Sequence, residues 1–204
     1  MSLGERYEAH HRERREEGDF VFVPDRIPLF RAAIGTGKRV LDLGCRSGAL
    51  TRHLLEGNDV VGVDVDSAAL EKAAALGIEP VEANVDEPLP FADASFDAVV
   101  AGELLEHLQF PDALVAEIRR VLRPGGVLAG SVPNAFRLQS RLRFLRGKPP
   151  EDDPTHLHLF APAAVRELLR DFRDVRLDYV GGRYRRVHPR LLARDLVFRA
   201  RKPA

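Results

Sequence analysis

Short apolar runs alternate with amphipathic segments along most of the chain. The apolar runs are flanked by glycine, proline or polar residues, and they predict buried strands at residues 40–43, 60–63, 80–83, 96–101 and 127–132. The amphipathic segments have helical spacing and predict helices at residues 25–34, 49–56, 68–76 and 112–122. Strands and helices that alternate in this way are typical of an α/β fold with a parallel, doubly wound sheet.

The alternation ends after residue 132. Residues 133–160 contain a basic amphipathic segment and then a proline-rich, non-helical loop at residues 149–154. A helix is predicted at residues 162–171, and strands at residues 174–180 and 192–201 close the chain.

The turn after the first predicted strand contains the most specific motif. Asp42, Gly44, Arg46 and Gly48 are spaced as D-x-G-x-R-x-G, and the second strand ends on Asp64. An acid at the tip of the second strand is the layout of a nucleoside site, because a carboxylate can accept hydrogen bonds from ribose hydroxyls. The spacing is not the G-x-G-x-x-G of dinucleotide folds. An acid two residues before the first glycine repels a pyrophosphate but suits a ligand that bears an ammonium group.

The segment from Val40 to Gly48 resembles the first motif of the class I S-adenosylmethionine-dependent methyltransferases, and the resemblance covers residues 38–132. Residues 89–91, 94–100 and 122–128 look like the scaffold of the small-molecule branch of that family. The resemblance implies a Rossmann-like α/β fold: a doubly wound, mostly parallel seven-stranded sheet with helices on both faces and an antiparallel last strand. From position in the chain, an N-terminal helical arm or lid is expected at residues 1–35, followed by a methyltransferase domain at residues 36–204. Residues 133–173 would be an insertion or cap on the acceptor side.

The resemblance implies S-adenosylmethionine as the cofactor. Asp64 matches the ribose-binding acid, Val65 a position against the adenine ring, and Glu103 a position beside the methionine end. Asn84 falls where the family has an aspartate that contacts the adenine amino group, and its side-chain carbonyl can still accept that hydrogen. The expected cofactor-binding residues are Asp42, Gly44, Cys45, Arg46, Gly48, Asp64, Val65, Asn84, Val85 and Glu103.

His107 is the candidate catalytic residue, because it follows the fourth strand and imidazole can take a proton from an oxygen nucleophile near neutral pH. The alternative is that His107 only lines the pocket or caps a turn. Residues 133–134 and 155–160 resemble a subgroup in which these segments flank the acceptor. Candidate substrate residues are therefore Arg143, His156 and His158. The two latter histidines alternate on an extended stretch and are expected to face one side. Without a nearby acid partner they are weak evidence for a metal, and no metal is expected.

Composition narrows the expected partners. Lys+Arg and Asp+Glu are balanced at 31 each, so the whole molecule has no bias toward nucleic acid or membrane. The single Cys45 excludes an intramolecular disulfide. No apolar run approaches the roughly 18 residues of a membrane span, and a soluble, cytoplasmic protein is expected.

These observations predict an enzyme that moves a methyl group to an oxygen, nitrogen or carbon of a small-molecule acceptor. The local arginine clusters favour an acidic acceptor. Two alternatives stay open. Residues 133–158 also resemble proteins of the MetW type, which bind the cofactor without catalysis and accompany another biosynthetic enzyme. The basic C-terminal segment leaves open an RNA methyltransferase, although no base-flipping motif is present. A homodimer or a complex with a second enzyme is equally open.

Overall fold

The computed structural model describes residues 24–151 and 153–204, so most of the predicted N-terminal arm lies outside the described residues. Seven strands form one sheet: β1 Arg39–Leu43, β2 Asp59–Asp64, β3 Glu79–Glu82, β4 Phe96–Gly102, β5 Leu122–Pro133, β6 Arg173–Val180 and β7 Asp195–Arg201. The helices are α1 Ile27–Ile34, α2 Ser67–Ala75, α3 Pro111–Val121, α4 Leu138–Leu145, α5 Pro162–Leu168 and α6 Pro189–Leu192.

The strand order in the sheet is β3-β2-β1-β4-β5-β7-β6. Strands β1 to β5 pair in parallel, and β7 lies antiparallel to both β5 and β6. The expected mostly parallel seven-stranded sheet with an antiparallel last strand is therefore confirmed. The order reverses between β1 and β4, and in open α/β sheets a ligand crevice forms beyond the carboxyl ends of the strands at such a point.

Helices cover both faces of the sheet, as the sequence predicts. Val40 packs in a cluster with Phe30 and Ile34 of α1, whereas its neighbour Leu41 packs in a second cluster that includes Ile118 of α3. Successive residues of a strand point to opposite faces, so one apolar run supplies both clusters. The apolar runs are continuous rather than alternating because β1, β2 and β4 are buried on both sides.

Two local predictions need correction. Residues 49–56 do not form an α-helix; the described structure there is a single 3₁₀ turn, Thr51–His53. Thr51 is fully buried and its hydroxyl donates a hydrogen bond to Asp42, which fixes the turn at that residue instead of letting a regular helix continue. The Pro-Gly-Gly sequence at residues 124–126 predicts a tight turn leading into the strand at 127–132, but the strand does not begin after it. Gly125 has a φ of 75°, but β5 runs through it with a register shift against β4.

Gly62 on β2 sets how closely the turn after β1 can approach the sheet. A Cβ at this position would lie 2.6 Å from Cys45 Sγ and 2.8 Å from Ile78 Cγ2. We expect Gly62→Ala to lower the free energy of unfolding by about 1–3 kcal/mol, the usual cost of overpacking a core, as measured by urea denaturation. The cost should shrink in a Cys45→Ala background, which removes the nearest atom. Equal costs in both backgrounds would exclude this contact as the cause.

Candidate active site

The glycine turn after β1 lies against the end of β2. The backbone N–H groups of Gly44 and Cys45 both donate to the Val63 carbonyl, at 2.8 and 3.0 Å. Gly44 and Gly48 have φ values of 70° and 78°, in the left-handed region that glycine adopts without a steric penalty. The turn is thereby folded back onto the neighbouring strand, which brings two of the predicted cofactor-binding segments together.

Asp64 ties this turn to β2. Its Oδ2 accepts from the backbone N–H of Arg46 at 2.8 Å, and its Oδ1 accepts from that of Asp66 at 3.0 Å. Burial raises the pKa of Asp64, and these two backbone hydrogen bonds oppose the shift. Each carboxylate oxygen offers two lone pairs, so both retain capacity for a further donor such as a ribose hydroxyl.

Asp42 and Cys45 are buried beneath the turn. Asp42 is 2% exposed and accepts a hydrogen bond from the Thr51 hydroxyl. Burial raises the pKa of Asp42 to about 7; the Thr51 hydrogen bond opposes this shift and the Asp64 charge adds to it. Burial likewise raises the pKa of the Cys45 thiol, with further contributions from the same two carboxylates. Cys45 is consequently a buried packing residue that is rarely a thiolate. The Asp42 carboxyl group hydrogen-bonds Thr51 of the same chain.

The residues predicted at the adenine end lie after β2 and β3. Val65 follows Asp64 directly, and Val85 packs against the core. The side-chain oxygen Oδ1 of Asn84 accepts from the backbone N–H of Asp86 at 3.0 Å, so it caps its own loop. Its second lone pair is what an adenine amino group would use.

Glu103 follows β4 and sits in an ion-pair network that the sequence did not predict. Its carboxylate lies 3.2 Å from the Arg26 guanidinium, which also lies 2.9 Å from Asp195 at the start of β7. Burial raises the pKa of Glu103, and Arg26 opposes the shift. Burial by itself lowers the pKa of Arg26, but Glu103 and Asp195 outweigh it and the net pKa is raised. No local pattern links residues 26, 103 and 195, so only the fold could reveal this network.

His107 and His156 meet beyond the carboxyl end of β4. Their ring centroids are 4.7 Å apart, and the rings are nearly perpendicular at 74°. His107 Nδ1 lies 3.0 Å from Thr155 Oγ1 and 3.3 Å from the Thr155 carbonyl oxygen. Beside them, burial raises the pKa of Glu106 well above its usual range, and the neighbouring Glu103 charge adds to the rise. Glu106 was not among the predicted site residues, although it immediately precedes His107 in the sequence.

The expectation that His156 lacks an acid partner is wrong. Its Nδ1 lies 2.5 Å from Glu151 Oε2, and its Nε2 lies 3.8 Å from Asp153 Oδ2. Burial lowers the pKa of His156, but the Glu151 hydrogen bond and the Asp153 charge outweigh it and the net pKa is raised. Both acids lie within five residues of His156, so the sequence did contain this signal.

The other two predicted substrate residues have different neighbours. The ring centroid of His158 lies 5.8 Å from that of Phe160, while its backbone N–H donates to the Glu106 carbonyl. Arg143 is on α4, and its Nε donates to the Pro149 carbonyl at 2.9 Å. The structure thus brings His156 to His107 and places Arg143 on the segment leading there.

No helix in the described parts of the chain is long and apolar enough to span a bilayer.

Comparisons with known proteins agree with this geometry. A family model described as a methyltransferase domain matches residues 41–130. The chain is 30% identical over 166 residues to the ubiquinone biosynthesis O-methyltransferase of Paracidovorax citrulli, covering 75% of this chain and 68% of that protein. It is 34% identical over 136 residues to the Nitrosococcus oceani protein of the same name, covering 61% and 58%. The chain belongs to the class I S-adenosylmethionine-dependent methyltransferases.

Structural comparison gives the same fold. A crystal structure of an S-adenosylmethionine-dependent methyltransferase from Archaeoglobus fulgidus superposes with a TM-score of 0.70 at 21% identity, covering 87% of this chain and 91% of that one. Alignments with the ubiquinone biosynthesis O-methyltransferases of Nitrosococcus oceani, Hahella chejuensis and Pasteurella multocida cover 58%, 46% and 58% of their lengths. The chain therefore spans about half the length of the curated relatives it matches.

The residues of the glycine turn fit S-adenosylmethionine. A Cβ on Gly44 would lie 3.1 Å from Leu104 Cδ1, so glycine at this position lets the segment after β4 pack closely against the turn. Asp64 at 9% exposed and Glu103 bracket the turn with carboxylates, which suits a ligand that carries hydroxyls at one end and an ammonium group at the other.

Arg46 holds a left-handed backbone conformation, with a φ of 50°. This conformation costs a residue with a Cβ about 1–2 kcal/mol. We expect Arg46→Gly to be more stable than Arg46→Ala by roughly 1 kcal/mol in chemical denaturation. Both variants lose the arginine side chain beyond Cβ. The difference between their stabilities therefore reports the cost of a Cβ in this backbone conformation. An alanine variant as stable as the glycine variant would contradict the strain.

Asp42 should make stability fall as the pH rises. The folded state holds its proton up to about pH 7, whereas the unfolded chain loses it near the ordinary value of 3.8. The folded state therefore binds more protons in this window, and the free energy of unfolding falls by about 1.4 kcal/mol per pH unit. Asp42→Asn lacks this titration. We expect its stability relative to the wild type to increase from about pH 5 to about pH 7 in urea denaturation and to level off above. A difference that does not vary with pH would contradict the shift.

Proposed function

We propose that the protein transfers a methyl group from S-adenosylmethionine to an oxygen of a small-molecule acceptor. The observation that carries this proposal is the joint position of the glycine turn, Asp64 and Glu103 at the carboxyl ends of β1, β2 and β4. These are the three adjacent strands that border the crevice of an open α/β sheet. The relatives named O-methyltransferases support oxygen as the acceptor atom.

Each end of the cofactor has a proposed partner in this chain. The Asp64 carboxylate would accept the ribose hydroxyls, and Val65, Asn84 and Val85 would border the adenine. Glu103, which Arg26 holds in position at 3.2 Å, would accept the ammonium group of the methionine portion. Asp42 acts on the cofactor indirectly in this proposal, because its contact with Thr51 fixes the turn that carries Gly44, Cys45, Arg46 and Gly48.

The cofactor supplies a methyl group that is already activated by its sulfonium. The carbon–sulfur bond would break with its electron pair going to sulfur, while a lone pair of the acceptor oxygen would form the new bond and the hydroxyl proton would pass to a base or to solvent. The protein mainly has to hold the acceptor in line with that carbon. Positioning of this kind can contribute about 7–11 kcal/mol to lowering the barrier. The expected role of His107 as a base stays a prediction.

Residues 133–173 are proposed to cap the acceptor. After α4 the chain returns to the end of β4, where the N–H groups of Leu157 and His158 donate to the Glu106 carbonyl at 2.8 and 3.1 Å. Arg143 on this segment would favour an acidic acceptor. A cytoplasmic location, and a homodimer or a partner enzyme, are further predictions of this proposal.

Calorimetric titration with S-adenosylmethionine and S-adenosylhomocysteine tests the proposal. We expect both to bind the wild type and Asp64→Ala to weaken binding about 10–100-fold. Hydrogen bonds to a charged group contribute roughly 1.5–3 kcal/mol, and 1.4 kcal/mol is a tenfold change in Kd. Asp59→Ala is the matched control, because Asp59 is exposed at the opposite end of the same strand. A folded wild type that binds neither ligand would overturn the proposal.

A further inference from the structure

Glu106 is a buried carboxylate whose oxygen atoms have no hydrogen-bond partner among the described residues. The residue is 1% exposed. Neither Oε1 nor Oε2 has a hydrogen-bond partner among the described residues. A buried carboxylate is normally paired, hydrogen-bonded or bound to a metal, because leaving its oxygens unsatisfied is costly. The described surroundings of Glu106 therefore supply no partner for its two oxygens, and a bound cation would provide one.

Two imidazoles face the same point. Glu106, His107 and His156 each offer one ligand atom, and these three atoms lie within 4.8 Å of one another. The ligand atoms around a tetrahedral zinc ion lie about 3.4 Å apart, given bonds of about 2.0–2.1 Å. The three side chains would need to move inward by on the order of 1 Å. Two imidazoles and one carboxylate are the ligand set of catalytic zinc and of non-haem iron sites, which leave positions open for a further ligand.

The hydrogen bonds around both histidines orient them for a metal. Thr155 Oγ1 donates its hydrogen to Asp153 Oδ1, so it can only accept from His107 Nδ1, as does the Thr155 carbonyl. His107 therefore carries its hydrogen on Nδ1 and a lone pair on Nε2. His156 Nδ1 is paired in the same way with Glu151. Metal-binding histidines almost always donate their other N–H to a carboxylate or a backbone carbonyl.

We propose that Glu106, His107 and His156 bind a divalent transition metal ion beyond the carboxyl end of β4, and that this ion holds the oxygen that receives the methyl group. Nitrogen ligands favour an ion of the zinc, cobalt or iron type over magnesium or calcium. Glu106 follows Glu103 by three residues, so a metal bound there would lie close to the proposed partner of the methionine portion.

Metal binding itself does not depend on the proposed function. The role of the metal in methyl transfer does rest on that proposed function. A hydroxyl bound to a divalent cation loses its proton more readily, as zinc-bound water does. The acceptor hydroxyl would release its proton to solvent, and the resulting oxygen lone pair would form the bond to the methyl carbon as the carbon–sulfur bond breaks. His107 is then a metal ligand rather than a base. The acceptor class is a small molecule with a coordinating hydroxyl.

Cobalt(II) is the probe for this site, because its visible absorption reports nitrogen and oxygen ligation directly. The full-length chain without a purification tag is treated with a chelator, dialysed and titrated with cobalt, and zinc binding is measured by competition. We expect one ion per chain. Glu106→Gln and His156→Asn should abolish the absorption. Glu151→Gln keeps all three ligands and should weaken affinity about 10–100-fold, which is the usual effect of removing a partner of a ligating histidine.

Two control variants separate this site from other histidines. His158→Asn removes a neighbouring imidazole that contacts Phe160, and it should bind cobalt as the wild type does. The double variant His10→Asn/His11→Asn removes two adjacent histidines of the sequence and should also bind normally. If Glu106→Gln does not fold, the wild type, His156→Asn and the controls still decide the question.

The outcomes for the metal and for the cofactor are distinguishable when S-adenosylmethionine binding is measured on the same preparation. Binding of the cofactor without any cobalt absorption, or equal cobalt binding by the wild type and His156→Asn, would overturn the metal site and leave the proposed function standing. Cobalt binding without cofactor binding would support the site and overturn the proposed function. Both binding events together support the two proposals.

Discussion

An excess of buried carboxyl groups over buried cations at the carboxyl ends of the strands is the constraint on which the rest of the site depends. Asp42, Asp64, Glu103 and Glu106 lie at the ends of β1, β2 and β4, and burial is the largest cause of the raised pKa of each. Within the described chain, Arg26 is the cation that is buried next to them. This end of the sheet is therefore electrostatically suited to positive ligands. A sulfonium, an ammonium group and a divalent metal ion are all cations, so both proposed ligands reduce the same imbalance.

Arg26 determines how that imbalance is distributed. By pairing with both Glu103 and Asp195 it connects the turn before α1, the end of β4 and the start of β7. A buried cation shared by two carboxylates fixes geometry more than it adds net stability, because desolvation offsets much of the attraction. The consequence is that Glu103 is oriented and ionisable, while Glu106, three residues later, is left to another partner.

Sequence reasoning succeeded where the determining interactions are local. The D-x-G-x-R-x-G turn and the strands identified by their apolar runs depend on residues close together in the chain. It failed at residues 49–56, where helical spacing was overridden by the tertiary contact between Thr51 and Asp42. Arg26 was missed because its partners are 77 and 169 residues away along the chain. The acid partners of His156 were within five residues, but only the folded loop turns them onto the ring.

The two hydrogen bonds accepted by the Glu106 carbonyl have a consequence for access to the site. They attach the segment that carries His156 to the end of β4, so this segment cannot move aside without breaking both. Each such bond contributes about 1 kcal/mol net, so breaking the pair alone would leave roughly one molecule in thirty open at any moment. Every further contact of His156 reduces that fraction. Access past this segment is then restricted to the open fraction of molecules.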